Sequence, residues 1–190
     1  FTEAEIKQCI RMRTPNLVRN LKTGSIHMAI RCCGKNRCSN PHHGSSGATQ
    51  SNLQDNLKDC KVGLKSSTDG GRTWGDWQIV SGPDPGYGHG SPLYDSRRNR
   101  IVLQYQSFLS DGGTTKPTPN TSYFQIISDD DAKTWTSPPR NISHYFQQVQ
   151  KSPDDMMDIT AGNKLETSTG RLLWSAHDHS ARVVSWYSDD

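Results

Sequence analysis

Two arginines and a pair of carboxylates offer the most direct chemistry in this sequence. Arg13 and Arg31 stand eighteen residues apart, each within or at the end of a strand-like run. A guanidinium is planar, permanently charged and able to hold a carboxylate through two parallel hydrogen bonds. Equally, an arginine at a strand end is often no more than a solvated cation. Asp55 and Asp59 follow in a polar stretch. A carboxyl there can exchange protons with a reacting group or simply close a turn. His177, Asp178 and His179 follow a strand-like run and could also serve acid–base chemistry, but a loop position without a partner favours the plainer reading. Cys32, Cys33 and Cys38 with His42 or His43 are metal-ligating types, yet adjacent cysteines do not match the usual C-x-x-C zinc spacing. No metal and no cofactor are called for.

These residues must be positioned by short strands. Apolar residues make up only 31%, but 5 Trp, 6 Tyr, 16 Gly and 10 Pro accompany them, a mixture suited to short strands joined by many turns. No run approaches the ~20 apolar residues that a membrane helix needs. The first residues, Phe1 to Glu5, do not read as a signal peptide, so one is expected to be absent or removed. The formal charge of +3 is spread along the chain without a basic run, which argues against a nucleic-acid partner and weakly suits an anionic small substrate. Five cysteines and two N-glycosylation patterns, at Asn120 and Asn141, favour the secretory pathway and disulfides. The odd count leaves one cysteine free or paired outside the chain.

A repeat organises the strands. Ser67-Thr68-Asp69-Gly70-Gly71-Arg72-Thr73-Trp74 recurs as Ser128-Asp129-Asp130-Asp131-Ala132-Lys133-Thr134-Trp135, 61 residues on, and a third copy begins at Ser188. Each follows a strand candidate: Val62 to Lys65, Tyr123 to Ile127, and Val183 to Tyr187. A second strand recurs upstream at Gly24 to Ala29, Asn99 to Tyr105 and Gly170 to Ala176. Before it lies a third, at Asn16 to Val18, Pro92 to Tyr94 and Lys164 to Glu166. With the strand after each turn, this predicts four-stranded antiparallel blades of an all-β propeller, about three of them in one partial domain over 1–190. The turn's Asp should accept nearby backbone N–H groups, and Trp74 and Trp135 can pack between sheets. Gly71 allows a positive φ; Ala132 in its place would be strained if the position needs one. His144 to Lys151 is a short helix or an ordered loop, and Cys32 to Ser51 reads as a long loop.

Turns of this type are Asp boxes, and with three further segments the chain resembles the sialidase (exo-α-sialidase, trans-sialidase) family of six-bladed propellers; the boxes alone also occur in sortilin-like receptors. Met12-Arg13-Thr14-Pro15-Asn16-Leu17-Val18 is similar to the family's N-terminal motif, with Met12 for an aromatic and Thr14 for Ile. Ala29-Ile30-Arg31 is similar to the strand end Ala-Glu-x-Arg, without the Glu. Val62 to Asp69 resembles the strand leading into the first Asp box, and Asp55 lies seven residues before Val62, where the family carries its acid/base. The resemblance implies that Arg13 grips the substrate carboxylate, that Arg31 lies beside the sugar ring, and that Asp55 is the catalytic acid/base, with Asp59 its competitor. In Tyr87 to Asp95, His89 stands where the family often has a second substrate-pocket Asp. Met156 to Asn163 resembles a loop at the pocket edge.

The function so implied is that of a glycoside hydrolase releasing terminal sialic acid (or KDN) from glycoconjugates. Its Tyr nucleophile and partner Glu would come from the remaining half of the propeller, in the same precursor or a second chain. The chain is accordingly expected to be part of a longer sequence or one product of a cleaved precursor. A sialidase-like lectin without catalysis and a structural Asp-box propeller are the alternatives. A secreted or extracellular protein is expected, with lysosomal and cell-surface placements as variants.

Overall fold

A computed structural model describes residues 11–33, 60–81, 87–107, 121–149, 157–159, 164–178 and 182–189. They form three four-stranded antiparallel sheets in chain order. The first holds β1 (Arg11–Arg19), β2 (Ile26–Cys33), β3 (Cys60–Ser67) and β4 (Gln78–Ile79). The second holds β5 (Tyr87–Asp95), β6 (Arg100–Ser107), β7 (Ser122–Ser128) and β8 (Arg140–Asn141), with the short helix α1 (Ser143–Gln147) after it. The third holds β9 (Met157–Asp158), β10 (Lys164–Glu166), β11 (Leu172–Asp178) and β12 (Val183–Ser188). There β9 and β10 both pair with β11, near its C-terminal and N-terminal ends, so together they act as one interrupted first strand.

Every strand read from the repeat is present; β10 has the predicted bounds and the others run on past at least one predicted end. β2 runs on to Cys33, so Cys32 and Cys33 belong to the sheet and not to the predicted loop. β11 takes in His177 and Asp178, which lie opposite Asp158 and Met157 of β9, not in the predicted loop. A distant backbone partner extends a strand in both cases, which local pattern cannot foresee. The helix forms at 143–147, starting one residue before the stretch expected to be helix or ordered loop.

The sheets pack face to face. Ala29, Val62 and Leu64 of the first sheet meet Tyr94, Ile101, Leu103, Tyr105 and Ile126 of the second. Tyr123, Ile142 and Phe146 of the second meet Met157, Ile159 and Ala176 of the third. Burial of one such aliphatic or aromatic side chain contributes about 1.5–3 kcal/mol. The first strand β5 packs against β1, β2 and β3 of the preceding sheet and β10 of the following one. The first strands therefore line up side by side across successive blades.

The two complete repeat turns close by one pattern. Ser67 Oγ donates to Asp69 Oδ1 at 2.8 Å and accepts from Gly71 N at 2.9 Å, while Thr73 donates to Asp69 through its backbone N (2.9 Å) and its hydroxyl (2.6 Å). In the second turn Ser128, Asp130, Ala132 and Thr134 repeat these bonds at 2.9, 2.8, 2.8 and 2.6 Å. The left-handed pair Gly70 (φ 76) and Gly71 (φ 91) becomes Asp131 (φ 62) and Ala132 (φ 63). The position does need a positive φ, and Ala132 accepts it without glycine's freedom. Ala132 is buried in the core between the first and second sheets, and Trp135 packs against that core. Trp74 is half-buried and donates from Nε1 to its own turn, at Gly71 O (3.1 Å).

A disulfide joins Cys33 to Cys60, directly opposite each other on β2 and β3. A crosslink at a sequence separation of 27 stabilises by about 3–4 kcal/mol in the chain-entropy account. It also takes Cys33 out of any thiolate zinc set. Asn141 is exposed on β8, with its Oδ1 accepting from Ser143 N at 2.9 Å; Asn120 lies outside the described residues. Among the described residues no helix is long and apolar enough to cross a membrane. The disulfide is compatible with a secreted or extracellular protein.

Candidate functional site

The first strands of the first two sheets are irregular at corresponding places. β1 shifts register between Arg13 and Asn16, and β5 between Tyr87 and Gly90. In the third sheet β9 and β10 hold the first-strand positions, and residues 160–163 between them lie outside the described residues. Extra residues in a strand re-aim the side chains around them, and such bulges are frequent beside functional sites. Within the first bulge Thr14 has φ 51, a conformation costly for a β-branched residue.

The register brings the two predicted arginines together. Arg13 and Arg31 are direct backbone partners on β1 and β2. Arg31 is buried, at 4% exposure. A guanidinium cannot shed its charge, so its burial requires hydrogen-bond partners. His89, also buried, provides one: Arg31 Nη1 lies 3.1 Å from His89 Nε2. The other face of that imidazole looks to the third sheet, where Asp158 Oδ1 lies 3.5 Å from His89 Nδ1. One guanidinium, one imidazole and one carboxylate, each from a different sheet, thus stand in a row.

The row continues through Lys164. Its amine is lowered to about 8, because burial disfavours the ammonium more than the charge of Asp158 favours it. Lys164 Nζ donates to Asn16 Oδ1 at 2.7 Å. Asn16 Nδ2 in turn donates to Gly90 O at 2.9 Å and more weakly to Thr14 O at 3.3 Å. Asn16 therefore ties all three first strands at one point.

Close packing sets the height of His89. A Cβ added at the neighbouring Gly90 would meet Val62 Cγ1 at 2.7 Å and Ala29 Cβ at 3.3 Å. Only glycine lets β5 approach the first sheet closely enough for the imidazole to reach Arg31. Of the predicted residues, Arg31 and His89 are in contact and Arg13 is placed beside them by register. Asp55 and Asp59 lie outside the described residues. The segment that carries them connects Cys33, two residues past Arg31, to Cys60, and the disulfide ties these two ends.

Sequence reasoning did not single out Asp158, Lys164 or Asn16. The one signal for Asp158 was its place in the segment read as a pocket edge. Nothing local marks a Lys or an Asn on a short strand as part of a network. A cleft of about 540 Å³ lies elsewhere, between the second and third sheets, lined by Ile127, Phe146, Trp174 and Trp186 among others. Arg98, Arg100, Arg140 and Asp189 also line it; it shares no residue with the polar row, so it is not where the predicted groups converge.

No family model and no curated protein matches the sequence. Solved structures do match. A Hadza microbial sialidase superimposes with a TM-score of 0.69 at 21% identity, over 96% of this chain and 36% of that one. A leech intramolecular trans-sialidase does so with a TM-score of 0.65 at 15% identity, over 100% and 43%. The intramolecular trans-sialidase from Ruminococcus gnavus gives 0.66 at 14%, over 100% and 60%. The chain therefore spans between about a third and three fifths of the length of these structures. At such identities the likeness carries the fold alone, and the conclusion is one of architecture: three antiparallel sheets that are blades of a partial β-propeller with a sialidase-like fold.

Proposed function

We propose that this chain is part of an exo-α-sialidase, a glycoside hydrolase that releases terminal sialic acid (or KDN) from glycoconjugates. The observation that carries the reading is the pairing of Arg13 with Arg31 in register, Arg31 being buried where the first strands of three blades meet. Sialic acid is set apart from neutral sugars by a carboxylate, and guanidinium groups are the side chains suited to hold one. In this reading Arg13 grips the carboxylate, Arg31 and His89 line the substrate side, and Asp55 is general acid and then base. Asp55 protonates the leaving glycosidic oxygen and afterwards takes a proton from the attacking water. The Tyr nucleophile and its Glu partner belong to further blades of the propeller, and the repeat turns are Asp boxes that serve the fold. The working location is outside the cell or in the secretory pathway.

The test is turnover of a fluorogenic sialoside by the full-length protein between about pH 4 and about pH 8, the range over which a catalytic carboxyl works. Release of fluorophore is expected, with Asp55→Ala lowering kcat by about 10²–10⁴. Absence of turnover throughout that range overturns the hydrolase reading. A second reading, a sialoside-binding protein without catalysis, is favoured by one feature: His89, where the resembled family carries a carboxylate, is engaged with Arg31. Calorimetric binding of a sialoside without turnover would select it.

A further inference from the structure

We propose that His89 and Asp158 are positioning residues for Arg31, with His89 held as the neutral imidazole protonated on Nδ1. Donor and acceptor identities lead to this assignment. A guanidinium offers five N–H donors and no acceptor. At 3.1 Å from Arg31 Nη1, His89 Nε2 must therefore present its lone pair. The single proton of the neutral ring then sits on Nδ1, which faces the acceptor-only carboxylate of Asp158 at 3.5 Å. A ring protonated on Nε2, alone or as imidazolium, would set N–H against N–H. The pairing is directional: carboxylate, then imidazole N–H, then imidazole lone pair, then guanidinium. A histidine whose tautomer is set by one carboxylate commonly fixes the group on its other nitrogen.

His27 shows the opposite arrangement in the same molecule. Its Nε2 faces Asp131 Oδ1 at 2.9 Å and its Nδ1 faces Ser66 Oγ at 2.8 Å. There Nε2 is the donor. Both histidines are buried, and the position of the carboxylate decides the proton in each. Of these two histidines, it is His89 whose lone pair meets a cation.

The consequence lies in the site. Arg31 comes from the first blade, His89 from the second and Asp158 from the third, so the guanidinium is oriented by two neighbouring blades. Gly90 and the Asn16 bridge hold those blades at the separation the row requires. The inference rests on the sialidase reading only for its kinetic arm.

The test uses full-length protein with ¹⁵N-labelled histidine and arginine. Long-range ¹H–¹⁵N correlation should give the Nδ1–H pattern for His89 and an Nε2–H donor for His27, which serves as the internal reference. Asp158→Ala should weaken the Nδ1–H preference at His89, which the Arg31 donor alone then maintains, and shift the Arg31 side-chain resonances. His89→Gln, which can still accept from Arg31 through its amide oxygen and donate towards Asp158, should restore the Arg31 signal, whereas His89→Leu should not. In sialoside turnover, Asp158→Ala and His89→Leu should raise KM about tenfold, the order expected for lost support of a binding group, with a smaller change in kcat. An Nε2–H or doubly protonated His89 in the parent protein at neutral pH overturns the proposal. So does Asp158→Ala that leaves both the tautomer and the Arg31 resonances unchanged. The NMR outcomes decide the matter even if the protein turns over no sialoside, which separates this proposal from the one on which its kinetic arm rests.

Discussion

Gly90 shows how one missing side chain sets a site. Its Cα lies where a methyl group would press on Val62 and Ala29 of the neighbouring blade. Gly90→Ala is expected to cost about 1–3 kcal/mol through overpacking, read as a lower thermal midpoint. It should also weaken the contact between His89 and Arg31, seen in the Arg31 resonances. At this scale the two arginines were legible through the resemblance of Met12 to Val18 and of Ala29 to Arg31, eighteen residues from Arg13 to Arg31, to the sialidase motifs. Their direct pairing needed the bulge at Thr14, which shifts the register by one residue between Asn16 and Arg13. Asp158 was not legible as a partner of His89. The two are far apart in sequence, and their meeting depends on how the second and third blades pack.

The repeat turn was the most legible element, because its chemistry is local. Asp69 and Asp130 accept from the Thr and Ser of their own turns, and these bonds lower both carboxyls to about 2. The acceptor role foreseen from the sequence is present, and the turn's demand for positive φ is met once by glycine and once by Asp131 and Ala132. A carboxyl depressed in the folded state stabilises it above its unfolded value, near 4, and that contribution fades as pH falls towards about 2. The full-length protein should therefore lose thermal stability over that acid window, and Asp130→Asn should flatten the decline. A thermal midpoint that is level between about pH 4 and about pH 2 would contradict the assignment. The strand ends were less legible than the turns. β2 and β11 are lengthened by partners, β3 and β9, that only the folded sheet supplies.

Across the whole molecule, Asp131 joins blades. It belongs to the second blade's turn but accepts from Asn20 at 2.8 Å, Ser25 at 2.7 Å and His27 at 2.9 Å, all in the first. Burial pushes its carboxyl up, and these bonds outweigh that and hold it below its usual range. Asp131→Ala would leave three buried polar groups short of an acceptor, at a cost of about 2–4 kcal/mol, measurable by urea unfolding; Asp131→Asn should cost less. A loss below about 0.5 kcal/mol, the ordinary range for a surface change, would show that the blades do not depend on this link. The sequence by itself determined the class of fold, the period of the blades and the chemistry of their turns, since each depends on residues within a few positions of one another. It also marked Arg13, Arg31 and His89 as residues of interest. Only the tertiary structure decided that Arg31, His89 and Asp158 form one row, that Lys164 and Asn16 extend it, and that Asp131 serves the neighbouring blade. Those contacts cross from sheet to sheet, and packing distance, not sequence spacing, determines which groups meet.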